Sequence, residues 1–281
     1  AEPAATLTGK SPVMQQLREN LERIAATDAG VLITGEGGSG KAVAARYLHA
    51  HSARKHHPFV EVSLTAITPA HAAAQLFGQE NKGAVTPGCF EQAAGGTLLL
   101  NEIVGLDLAT QARLLDALEQ KRFTRVGGHE VIALDARVIA ASDQELLKAV
   151  EEKRFREDLY YRLNVVPLRV PSLREHHEDV PELINFYVNW MADNEHLAYR
   201  KFTTGALNLL RNYSWPGNVR ELRNMVQRLL ILHRGEEVTE AEVEQTLGSP
   251  APVSPESYPP TLMEMPLRDA RSATEPPDRG A

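Results

Sequence analysis

Residues 31–34, Val-Leu-Ile-Thr, run directly into Gly35-Glu36-Gly37-Gly38-Ser39-Gly40-Lys41, and no other stretch restricts the fold so tightly. Four residues of strand character meet a loop with glycine at both ends of a five-residue step, then a lysine. An apolar helical pattern follows at Val43, Ala44, Tyr47 and Leu48. A G-x-x-x-x-G-K segment between a strand and a helix is the setting of a phosphate loop. Glycine lets backbone N–H groups turn inward around an anion, the next helix presents its positive end, and Lys41 reaches the outer phosphates. The bland alternative is a glycine-rich turn that binds nothing, and the context on both sides argues against it.

A second segment pairs with the first. Gly95-Gly96-Thr97-Leu98-Leu99-Leu100 reads as a buried strand of a parallel sheet and ends in Asn101-Glu102. Phosphate-loop ATPases usually end this strand in Asp-Glu, the first carboxylate ordering magnesium and the second polarising the attacking water. Asn101 can hold a magnesium-bound water by hydrogen bond but brings no charge to the cation. At an effective dielectric near 20, a unit charge about 4 Å from another is worth roughly 4 kcal/mol before desolvation. The expectation is a site that binds ATP and magnesium, with the metal weakly placed and turnover slowed more than binding.

Alternating strand and helix patterns occupy the first 170 residues. Strands are predicted at 31–34, 59–63, 97–100, 136–141 and 165–168, with a hairpin over 123–133 turning at Gly127-Gly128. Helices are predicted at 12–27, opened by Ser11 as a cap and Pro12 in the first turn, and at 40–52, 69–77, 108–121 and 144–152. The implied fold is α/β, a parallel sheet sandwiched by helices. After Pro171 the strands stop. Helical patterns at 180–193, 204–213, 216–233 and 239–247 form a small all-helical lid over 171–248. Residues 249–281 hold eight of the 17 prolines and read as a disordered tail or linker.

Composition narrows the partners. A net charge of -7 argues against this piece gripping DNA by itself. No apolar run approaches the ~18 residues of a membrane span. The single cysteine, Cys89, cannot form an internal disulfide and fits a reducing cytoplasm. His49, His51, His56, His57, His176 and His177 lack a carboxylate or cysteine at metal-ligand spacing, and their pattern places them on or beside exposed helix ends.

Two long strings then become decisive. Residues 155–167, Phe-Arg-Glu-Asp-Leu-Tyr-Tyr-Arg-Leu-Asn-Val-Val-Pro, and 215–222, Trp-Pro-Gly-Asn-Val-Arg-Glu-Leu, join Leu76-Phe77-Gly78 and the two nucleotide motifs. Together they resemble the sigma-54-dependent transcription activators, bacterial enhancer-binding proteins of the AAA+ class, over residues 6 to about 248. Within that family the chain looks most like the nitrogen-regulation response regulators, partly through 265–271, Met-Pro-Leu-Arg-Asp-Ala-Arg. The resemblance implies a P-loop ATPase that assembles as a hexameric or heptameric ring with nucleotide at subunit interfaces. Gly35, Glu36, Gly37, Gly38, Ser39, Gly40, Lys41 and Ala42 would form the cradle, and Glu102 would position water. Arg156 and Arg162 match the family's finger arginines, which project into the neighbouring subunit. A finger in trans is worth ~10³ to 10⁵ in rate. The plainer reading of both is a solvated helix face, or ion pairs with Glu157 and Asp158. Arg220 would sense nucleotide from within the subunit, its place fixed by Trp215 and Pro216. DNA would be met only through a module outside this chain.

The departures from the family cluster at function. Gly83-Ala84-Val85-Thr86-Pro87-Gly88 stands where the family's sigma-contacting loop reads G-A-F-T-G-A. Val85 offers less apolar surface than phenylalanine, and Pro87 interrupts the turn, which argues against engagement of sigma-54 RNA polymerase. Ser63 replaces an asparagine that restrains the catalytic glutamate. Ser142-Asp143 replaces a Thr-Asn pair that senses the γ-phosphate, and an ionised aspartate there repels phosphate. Ala42 weighs less, since the family commonly has glutamate at that position. Two readings remain: a ring-forming ATPase with slowed hydrolysis, or a non-hydrolysing nucleotide-binding oligomerisation module that controls transcription without remodelling sigma-54.

Overall fold

The computed structural model describes residues 7–65 and 67–248. The α/β part runs α1 (Pro12–Ala25), β1 (Val31–Thr34), α2 (Lys41–Ala50), β2 (Phe59–Ser63) and α3 (Pro69–Phe77). It continues through a hairpin of β3 (Gln79–Asn81) and β4 (Ala84–Thr86), then α4 (Cys89–Gln92), β5 (Thr97–Asn101) and α5 (Leu108–Gln120). A second hairpin, β6 (Arg122–Phe123) and β7 (Ile132–Ala133), precedes β8 (Arg137–Ser142), α6 (Leu146–Glu151), α7 (Glu157–Leu163) and β9 (Val166–Arg169). Five strands pair in the order β2-β5-β8-β1-β9, all parallel.

Alternation along these strands feeds two cores. Leu32, Val62, Leu98, Leu100, Val138 and Ala140 pack on one face with Leu76 of α3 and Leu114 of α5. Val31, Ile33, Leu99, Ile139 and Ala141 pack on the other with Leu17 and Leu21 of α1 and Ala44 and Leu48 of α2. A sheet covered on both faces explains why its strands read as unbroken apolar runs. Because every strand points the same way, the ends of β1, β5 and β8 share one edge, where parallel sheets bind ligands. Register brings Ser63, Asn101 and Ala141 into one row and sets Thr34 beside Ser142.

The second part opens with a 3-10 segment, Leu173–Asp179, followed by α8 (Val180–Asn194), β10 (Lys201–Phe202), α9 (Thr204–Asn212), α10 (Asn218–Leu232), β11 (Glu237–Val238) and α11 (Glu240–Gly248). Its core holds Trp215, fully buried, whose Nε1 donates to Leu210 O at 2.7 Å. Strands do not stop at Pro171: β10 and β11 pair in parallel. Two residues each are too short to show a period in sequence.

Three further expectations change. Ser11 does not cap α1 with its side chain; its hydroxyl donates to Asp179 instead. His49 and His176 are buried rather than set at exposed helix ends; His49 Nδ1 pairs with Thr97 Oγ1 at 2.8 Å and Nε2 with His57 O at 3.0 Å. Pro87 does not interrupt a turn. The β3–β4 turn is Lys82-Gly83, both at positive φ (49° and 84°) as a tight two-residue hairpin requires. Val85 pairs with Glu80 inside β4, half exposed, and Pro87 follows the strand. The expected tail at 249–281 lies outside the described residues.

Candidate nucleotide site

The loop after β1 closes on itself. Gly35, Gly38 and Gly40 have φ of 159°, 76° and 105°, the last two in the region that disfavours side chains. Lys41, only 6 % exposed, donates from Nζ to Gly35 O at 2.9 Å and Glu36 O at 3.1 Å. Its ammonium is therefore folded back onto carbonyls of its own loop. Burial draws the Lys41 pKa below its ordinary value, while Glu102 and Asp143 act in the opposite direction. The Ser39 hydroxyl is buried with no hydrogen-bond partner among the described residues.

The lid meets this loop through backbone. A methyl added at Gly38 would collide with Gly217 O, and the Arg220 N–H donates to Gly38 O at 3.2 Å. Asn218, fully buried, donates from Nδ2 to Glu36 Oε2 at 3.1 Å and Gly37 O at 3.2 Å. Its Oδ1 accepts the Leu173 N–H at 2.8 Å. Glu36 also pairs with Arg174, and Arg174 followed by Asn218 holds its carboxyl below the usual range. The Glu36 carboxylate thus faces the lid while its carbonyl belongs to the loop. Asn218 was not marked by the sequence motifs; its one signal was its place beside Gly217 in the 215–222 string.

At the strand ends, Asn101 donates from Nδ2 to Glu61 Oε1 at 3.4 Å, and its Oδ1 is buried without a partner among the described residues. Glu102 has φ 56°, a left-handed conformation that turns its side chain back over the site. Burial first, and Asp143 second, push the Glu102 carboxyl up to about 7, with Lys41 opposing. The Asp143 N–H lies 3.5 Å from Glu102 Oε2. Ser63 does not restrain Glu102: its hydroxyl pairs with Thr65 Oγ1 at 3.1 Å. Ser142 is spent on its own turn, donating to Gln144 O at 2.8 Å.

Gly38, Gly40, Lys41, Asn101, Glu102 and Arg220 line one hollow. A profile of the family described as the sigma-54 interaction domain matches residues 7–169, and one described as the AAA+ ATPase lid domain matches residues 174–258. The chain belongs to the sigma-54 interaction domain family. Nitrogen assimilation regulatory protein NtrX of Azorhizobium caulinodans is 42 % identical over 276 residues, 96 % of this chain and 61 % of the relative. DNA-binding transcriptional regulator NtrC of Rhizobium meliloti is 44 % identical over 255 residues, 89 % of this chain and 52 % of the relative. Crystal structures of NtrX from Brucella abortus in complex with ADP and with ATP superpose with a TM-score of 0.81 at 40 % identity, covering 95 % of this chain and 60 % of theirs. The chain therefore spans about half to three fifths of the length of such relatives.

In this sigma-54 interaction domain the finger candidates stand apart from the loop. Arg156 caps α7, and its guanidinium holds Asp158 through two bonds of 3.0 and 2.9 Å. Arg162 donates to Leu118 O at 2.9 Å. Both are exposed, and neither lines the hollow around Lys41. Intrachain pairing with Asp158 is thus real for Arg156, while Arg162 makes a backbone contact. Cys89 opens α4, buried, with its thiol pushed up by burial. Among the described residues no helix is long and apolar enough to cross a membrane.

Proposed function

We propose that this domain binds ATP and ADP at the hollow around Lys41 and Arg220, assembles as a ring, and hydrolyses ATP slowly in the service of transcriptional control. The carrying observation is the convergence of the loop, both strand-end residues and a lid arginine on one hollow. An entering phosphate chain would accept from the loop N–H groups, and Lys41 would swing from the carbonyl oxygens of Gly35 and Glu36 to phosphate oxygens. Arg220 adds a second cation from the lid. Transition-state charge would still lack a finger arginine beyond Arg220, since Arg156 and Arg162 lie elsewhere in the same chain; a neighbouring subunit would supply it in the ring.

Magnesium fits the site through one group. The unpartnered Asn101 Oδ1 suits a metal-bound water, and Glu102 and Asp143 stand nearby as carboxylates. When bound, the cation neutralises phosphate charge. Among the described residues no cluster of three or more His, Cys, Asp or Glu is placed to hold a metal unaided. Glu102, with its proton lost only near pH 7, is a poor water-orienting carboxylate at neutral pH. That same observation favours the second reading, a nucleotide-binding oligomerisation module without turnover. Engagement of sigma-54 would rest on the β3–β4 hairpin, where Val85 offers a small apolar contact.

Phosphate release at high protein concentration, for the native chain and Asn101→Asp, separates the readings. A rise of tenfold or more in the variant supports the slowed ATPase. Silence in both proteins supports the module without turnover, and full-rate turnover in the native chain refutes the argument about the metal site.

A further inference from the structure

A cleft of about 450 Å³ opens at the edge of the sheet opposite the phosphate loop. Gly30, Ala136 and Val165, which line it, each stand one residue before the start of β1, β8 or β9. The four residues of β1, at about 3.3 Å each, set it roughly 13 Å from the loop. Leu118, Leu134 and Leu163 give it an apolar wall. The charged side chains that reach it are Arg54, Lys121, Arg137, Arg162, Asp28 and Asp135.

Both carboxylates are already engaged. Arg54 donates to Asp28 through two bonds of 3.0 Å and to Asp135 through one of 3.1 Å, and it holds the Asp28 carboxyl below its usual range. Arg137 is only 2 % exposed and donates to Ala29 O at 3.2 Å and Ile24 O at 3.0 Å. Its Nη1 is buried with no hydrogen-bond partner among the described residues. Burial draws this guanidinium below its ordinary value. Arg162 uses one N–H on Leu118 O. Among the described residues no ion pair reaches Lys121, Arg137 or Arg162. A chain of net charge -7 thus gathers three cations without ion-pair partners around one cleft, and one of them keeps an idle buried donor. Such a donor costs stability until an acceptor arrives.

We infer that this cleft is a phosphate-binding site separate from the nucleotide hollow, with Lys121, Arg137 and Arg162 closing on one dianionic phosphate group. Arg137 opens β8, Lys121 follows α5 and Arg162 lies in α7, so the donors come from three elements. Guanidinium forks and an ammonium arranged in this way match a tetrahedral oxyanion. The leucine wall and the volume leave room for an organic body on the phosphate, as in a phosphate monoester.

Calorimetry with inorganic phosphate and with phenyl phosphate tests this in Lys41→Ala, a background that removes the loop lysine as a competing anion site. Each probe binds at about one equivalent, and a further Lys121→Gln change weakens both by about tenfold or more, the worth of one charge-assisted hydrogen bond. Lys201→Gln, which removes an exposed lysine on β10 away from the cleft, leaves both affinities unchanged. Tighter binding of phenyl phosphate than of phosphate identifies a monoester as the occupant, and equal affinity identifies free phosphate. Absence of binding by either probe overturns the inference. So does an affinity that is indifferent to Lys121, or that falls as far with Lys201→Gln.

Discussion

Replacing Asp143 by asparagine isolates the carboxylate pair at the strand ends. In the folded protein the Glu102 carboxyl is raised from 4.5 to about 7, by burial first and by Asp143 next. At about 1.4 kcal/mol for each tenfold change, that full shift corresponds to roughly 3 kcal/mol. The group is only half-buried, and solvent screening reduces the figure to about 1–2 kcal/mol. An acid whose folded value is raised lends stability below its unfolded value and loses it as pH climbs through the folded one. The nucleotide-free protein is thus penalised between about pH 4.5 and 7 and stays penalised above. Asp143→Asn removes the second cause and leaves burial in place, so about 1 kcal/mol returns at pH 8.5 and almost nothing at pH 5. For a domain of this size that is about 2–4 °C in Tm. Thermal unfolding of both proteins without nucleotide, from pH 5 to pH 8.5, measures it. Parallel profiles, or a variant that melts lower at pH 8.5, would refute the pairing of Glu102 with Asp143.

Lys41→Ala removes the only lysine within the loop and lowers ADP and ATP affinity by at least about tenfold in calorimetry; unchanged affinity would reject the phosphate-loop assignment. Asn218→Ala strands the Leu173 N–H and removes the amide bonds to Glu36 and Gly37, leaving Arg174 on Glu36, a loss of about 1–3 kcal/mol for a buried group that denaturant titration will read as a lower midpoint. Arg156→Ala abolishes hydrolysis with nucleotide affinity and midpoint unchanged, because its pair with Asp158 is solvent-exposed; a parallel fall in affinity would contradict a role across the subunit boundary.

The sheet was legible because burial on both faces leaves apolar runs, and strands 31–34 and 59–63, with the helix 69–77 that follows, fall where the pattern predicts. The β3–β4 hairpin was not, since Gln79 to Thr86 is short, polar and exposed and owes its shape to Lys82-Gly83. The turn between β1 and α2 was legible from its glycines set between a strand and a helix. Its closure was not: Asn218, Arg174 and Glu36 meet across 138 to 182 residues of chain, a distance over which spacing carries no signal. The buried Asp179 hub escaped for the same reason, with Ser11 read as a cap whose hydroxyl turned out to serve a partner 168 positions away.

Asp179 has a mechanical consequence. The helical part is joined to the sheet part covalently at 170–172 and again where Asp179 grips Lys10 and Ser11 at the head of α1, a helix that lies on the sheet. Three more ties reach the loop after β1 from the helical part: Asn218 on Glu36 and Gly37, Arg174 on Glu36, and the Arg220 N–H on Gly38 O. Asp179 therefore anchors the helical part to the head of α1 through contacts that share no residue with those on the loop, so loosening the loop contacts leaves the anchor in place.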